Sequence, residues 1–93
     1  MLIGALQVEF LIPESDSLKF KRMVIGSLKQ RLQNKFNVSV AEVDYNDVWQ
    51  RSVIGVAMVA NEKRFLDEAL THVLNFFDEQ GQIEVVDHRI EIL

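Results

Sequence analysis

LIGALQVEFLI, residues 2–12, alternates: Leu2, Leu6, Val8, Phe10 and Ile12 share one side with Gly4, while Gln7 and Glu9 mark the other. That period of two predicts a strand. Pro13 then removes a ladder donor, and the polar PESDS segment reads as a loop. SVIGVAMVA, residues 52–60, behaves differently: it is nearly continuously apolar. A run without alternation predicts a strand covered on both faces.

Between these two strands, Ser17 or Asp16 is placed to cap a helix over residues 18–35. Leu18, Val24, Ile25, Leu28 and Leu32 form its apolar face, with Phe36 closing the end. Lys21 falls near that face, and Lys19, Arg22 and Lys29 fall on the exposed side. Gly26 also lies outward, either to admit another backbone or simply tolerated at a cost of about 1 kcal/mol. VSVAEVDY, residues 38–45, is a strand with broken alternation, which a bulge or a polar edge resolves. Asn61 is a candidate cap for a second helix carrying Phe65, Leu66, Ala69, Leu70, Val73, Leu74 and Phe77 at helical spacing. Gly81 permits the chain to reverse into a last strand over residues 83–93.

The order is therefore strand, helix, strand, strand, helix, strand. It predicts one α/β (α+β) domain over residues 1–93: a ferredoxin-like split βαβ sandwich, with an antiparallel four-stranded sheet and two helices on one face. The other face is expected to be partly apolar through Ile3, Ala5 and part of the 52–60 strand, which predicts a homodimer.

The 93 residues contain no cysteine, which excludes a disulfide scaffold, a thiol nucleophile and a cysteine-ligated metal. No signal peptide is apparent and no apolar run is long enough to span a bilayer, so a cytoplasmic protein without membrane attachment is expected. Formal net charge is −4, yet residues 17–35 hold six basic side chains and no acidic one. The protein is not basic all over, but it can present one positive face to an anion.

Lys19, Lys21 and Arg22 surround a helix start, where free backbone donors also favour phosphate. With Lys29 they are candidates for RNA or anion contact; a solvated basic face or an acidic protein partner are the other readings. For Lys21 a structural ion pair with Glu42 is the simpler assignment. In NDVWQRS, residues 46–52, Trp49 can stack on a base, Arg51 can meet a phosphate and the Gln50 amide can bond a base edge. The structural alternatives are a plug on the core edge or a dimer contact for Trp49 and a loop hydrogen bond for Gln50. Ser17, Glu42, Asp44 and Gln50 are structural polar candidates. Glu42, Asp44 and Asp47 read as a polar edge and loop caps rather than a cation site. His72 and His88 lack metal-ligand spacing, and no nucleophile elbow, Walker loop or dinucleotide fingerprint occurs. No enzyme, cofactor or metal is expected.

The segments SLKFKR (17–22), FNVSVAEVD (36–44), WQR (49–51) and GVAMVAN (55–61) together resemble the bacterial YlxP-like family, also called domain of unknown function 503. The resemblance spans essentially the whole chain and implies a ferredoxin-like fold. Genes of that family lie near those for translation initiation factor two and ribosome-binding factor A, which implies association with RNA or the small ribosomal subunit. Phe20 departs from the polar residue usual in SLKxKR and puts an aromatic in the expected basic surface; Tyr45-Asn46 replaces a commoner polar pair. The expected function is a small non-enzymatic RNA- or ribosome-associated binding protein; the alternative is a protein–protein adaptor using the basic helix and the apolar sheet face.

Overall fold

A computed structural model describes residues 1–93. In chain order it contains β1 (Leu2–Leu11), α1 (Leu18–Lys35), β2 (Ser39–Asp44), β3 (Arg51–Ala60), α2 (Lys63–Asp78) and β4 (Glu84–Ile92). The four strands form one antiparallel sheet in the order β2-β3-β1-β4. This is the expected ferredoxin-like α+β arrangement. No helix is long and apolar enough to cross a membrane.

β1 lies between β3 and β4, so both of its edges are paired. Its alternation is realised in full: Leu6, Val8 and Phe10 are completely buried on the helix side, opposite Val56, Ile54 and Ser52 of β3. α2 seals that side with Leu66, Leu70, Val73 and Phe77, whose ring centre lies 6.1 Å from that of Phe10. Gly4 is required where α2 crosses β1, because a Cβ there would stand 2.9 Å from Leu70 Cδ1 and 3.2 Å from Leu66 Cδ2. α1 contributes Val24, Leu28 and Leu32 to the same core.

The cap of α1 is Ser17, whose hydroxyl accepts from the Phe20 amide at 3.0 Å. The broken alternation of β2 is a bulge: the register with β3 shifts between Glu42 and Asp44. Other details depart from the sequence expectations. α2 is capped by Glu62, not Asn61, and without a side-chain hydrogen bond. Phe65 is exposed, because the helix turns it away from the sheet. No glycine adopts the left-handed conformation, so Gly81 does not reverse the chain by that route; Gln80 ends α2 by donating its amide to the Phe77 carbonyl and its side chain to the Phe76 carbonyl. β3 is covered fully on one face and partly on the other: Ser52, Ile54, Val56 and Met58 are buried toward the helices, while on the open side Val53 is buried, Gly55 and Ala57 are half-buried and Val59 is 61 % exposed.

At Gly26 nothing lies within 4 Å of a built Cβ, so no neighbouring backbone makes use of its small size. Gly26→Ala should therefore raise stability by about 1 kcal/mol. Gly4→Ala should lower it by about 1–3 kcal/mol, since Leu70 and Leu66 must move. Urea unfolding of the two variants checks both signs.

Candidate functional site

α1 carries the basic run, and the structure divides it into committed and free cations. Arg31 donates to Gln80 Oε1 at 2.5 Å and lies 5.5 Å from the Phe76 ring centre. Lys35 sits 5.7 Å from the ring centre of Phe36 and 6.0 Å from that of Phe76. Lys19, Arg22 and Lys29 are exposed and take part in no ion pair. They span about 15 Å of helix axis. The helix supplies no carboxylate beside them.

Lys21 is the exception within the run. Its side chain is 1 % exposed, and its ammonium donates to the carbonyls of Tyr45 at 2.5 Å and Val48 at 2.7 Å, with Glu42 Oε2 at 2.9 Å. Three donors meet three oxygens, which is what a buried lysine needs. Lys21 is therefore withdrawn from the anion-contacting set: it faces inward and has no donor left for a ligand. Glu42 faces the helix side of β2 and also accepts from the buried Ser52 hydroxyl at 2.6 Å.

The Lys21 ammonium thereby holds the β2–β3 loop against the start of α1. Tyr45 enters that loop with φ +58°, a left-handed conformation seldom adopted by a non-glycine residue. Asp44 supports it by accepting from the Tyr45 amide at 2.7 Å, and the Tyr45 carbonyl also takes the Val48 amide at 3.0 Å. Gln50 ties the far side of the loop to the segment before α1, donating to the carbonyls of Pro13 at 3.2 Å and Ser15 at 3.1 Å. The loop is thus fastened on two sides while Trp49, 53 % exposed, remains on the surface.

Arg51 does not join Trp49 as a free cation. Its guanidinium pairs with Glu9 and lies 4.9 Å from the Tyr45 ring centre. The hydrogen bond to Glu9, with the charge of that carboxylate, raises the Arg51 guanidinium above its ordinary value. Gln50 likewise uses its amide in loop hydrogen bonds rather than presenting it outward. Phe20 is half-buried against the core, so it is not the aromatic of the basic surface; Met23 stands exposed there instead. The carboxylates of Glu42 and Asp44 are engaged as described, and no three His, Cys, Asp or Glu side chains gather where they could hold a metal. His72 and His88 are exposed on separate elements.

Residues 3–90 match the model of a family described as protein of unknown function, DUF503. The chain belongs to the DUF503 family. It is similar to the uncharacterized protein YlxP of Bacillus subtilis (strain 168), with 40 % identity over 90 residues, covering 97 % of this chain and 98 % of that protein. Within this family fold, the side chains around Lys21 form a closed, internally satisfied polar cluster. Beside it, the unpaired cations Lys19, Arg22 and Lys29 on α1 and the indole of Trp49 on the adjoining loop face outward.

Lys21→Met should destabilise the protein by about 3 kcal/mol or more, because Glu42 and two loop carbonyls lose their donor. Adding Glu42→Gln should recover at least about 1 kcal/mol by removing the unpaired buried charge. Urea unfolding of the single and double variants reads this, and a change in the emission of Trp49, the sole tryptophan, reports release of the loop.

Proposed function

We infer that this protein is a small non-enzymatic binding protein that associates with RNA, with the small ribosomal subunit as its setting in the cytoplasm. The observation that carries this reading is the free, unpaired state of Lys19, Arg22 and Lys29 on one helix that itself contains no acidic residue. Phosphates release counterions when such a row of cations meets them, and that release supplies most of the affinity. Gly26, in the same outward arc, leaves a gap that lets a backbone lie close to the helix. Trp49 adds an exposed aromatic on the loop that Lys21 fastens to α1, a suitable platform for an unpaired base. The gene neighbourhood of the family supports the same direction.

A protein–protein adaptor is the second reading. The observation favouring it is Met23, 66 % exposed beside Arg22, with Phe20, Ser27 and Gln82 lining the hollow next to it. An acidic partner with an apolar side chain would suit that surface.

Titration of labelled RNA and of small ribosomal subunits across a salt series separates the two. Three phosphate contacts to a single strand predict a slope of about −2 for log affinity against log salt. Changing Lys19, Arg22 and Lys29 together to glutamine should remove that binding and leave unfolding unchanged within about 0.5 kcal/mol. Binding that survives the triple change rules out the α1 footprint. A folded protein that binds neither probe favours the adaptor.

A further inference from the structure

The face of the sheet away from the helices is apolar along part of β3 and charged at one end and along β4. Outward along β3 beyond Arg51 run Val53, already buried, and then Gly55, Ala57 and Val59, with no polar side chain among them. An antiparallel strand with one face in water ordinarily alternates apolar with polar residues, and β3 does not. The register extends the apolar area sideways: Ile3 is opposite Val59, Ala5 opposite Ala57, and Ala41 of β2 opposite Gly55. The Glu9–Arg51 pair and Asp87 lie toward its other end, and the Arg89–Glu91 pair borders the apolar area along β4, with Glu91 opposite Ala5.

Two shapes lie side by side within the apolar part. Val59 protrudes, 61 % exposed. Next to it is a hollow of about 260 Å³, lined by Ala41, Val43, Gly55 and Ala57. Gly55 leaves its floor without a side chain, and Val43, 3.0 Å from where a Gly55 Cβ would stand, forms one wall. A knob and a hollow on one face, along one strand, are self-complementary under a two-fold axis. An axis lying between two stacked sheets and running across their strands sets Val59 of each copy over the hollow of the other.

We propose that this face docks a second copy of the chain, sheet against sheet, with Val59 seated reciprocally over Gly55 and Ala57. Strands of 10, 6, 10 and 9 residues give a face of about 550 Å², so a fully overlapped pair covers about 1,100 Å² in total, just above the roughly 1,000 Å² a specific interface needs. The apolar part forms the centre of that contact and the charged end its rim. α1 lies on the opposite layer of each copy, so the assembly leaves both basic helices outward. The proposal does not depend on RNA binding.

The test is sedimentation equilibrium of the full chain, wild type and Val59→Arg, with Met23→Arg as a surface control on α1. Wild type and Met23→Arg should have twice the monomer mass, and Val59→Arg should weaken association at least about 100-fold, since each interface carries the change twice. The copies carry like net charge, so added salt should not weaken the dimer, the reverse of its effect on phosphate binding. Because Val59 is exposed in the single chain, Val59→Arg should unfold at the same urea concentration as wild type under conditions where both are monomeric. A wild-type monomer at about 0.1 mM overturns the proposal. So does a Val59→Arg protein that retains wild-type association.

Discussion

Burying the ammonium of Lys21 imposes a demand that the surrounding chain is arranged to meet. A lysine taken out of water requires three acceptors, and no single element supplies them: Glu42 comes from β2, and the carbonyls of Tyr45 and Val48 come from the loop after it. The result is a joint between helix layer, sheet and loop at one end of the molecule. The same demand explains two local irregularities. The bulge in β2 follows Glu42, whose carboxylate lies on the helix side, and Tyr45 adopts a left-handed backbone with its carbonyl in reach of Lys21. Ser52 then satisfies the carboxylate from β3.

This joint separates cations that stabilise from cations that remain available. Lys21 is closed off by its oxygens, Arg51 by Glu9, and Arg31 by Gln80 and Phe76. What remains on α1 is a smaller set than the charge count indicates, and it lies on the layer opposite the apolar sheet face. The helix layer and the open sheet face therefore present unlike chemistry to the surroundings, cationic on one and largely apolar at one end of the other.

The elements themselves are legible in the sequence because their signals are local. Alternation marks β1, helical spacing marks α1, and Ser17 stands where the first-turn amide needs an acceptor. Lys21 is legible too, since its wheel position near the apolar face already calls for a buried partner. Glu9–Arg51 is not, because it depends on the register between strands about forty residues apart. The exposure of Phe65 is equally hidden: helical spacing gives a stripe, but the sheet determines how much of that stripe is covered. The continuous apolar run of β3 states that both sides avoid water, and the single chain covers one fully and the other only as far as Val53.

The central position of β1 has a consequence for how the chain folds. Leu2 pairs with Ala60 and Leu11 with Arg51, and the other edge of β1 pairs with residues 84–92. Both ladder partners of β1 therefore lie about forty residues or more further along the chain, one on each side of α2. Assembly of the sheet must close long loops before it gains hydrogen bonds, which slows this topology relative to a helical bundle of the same size. Until those loops close, the side chains of Leu6, Val8 and Phe10 have neither their strands nor α2 to shield them, which leaves β1 exposed to misassociation.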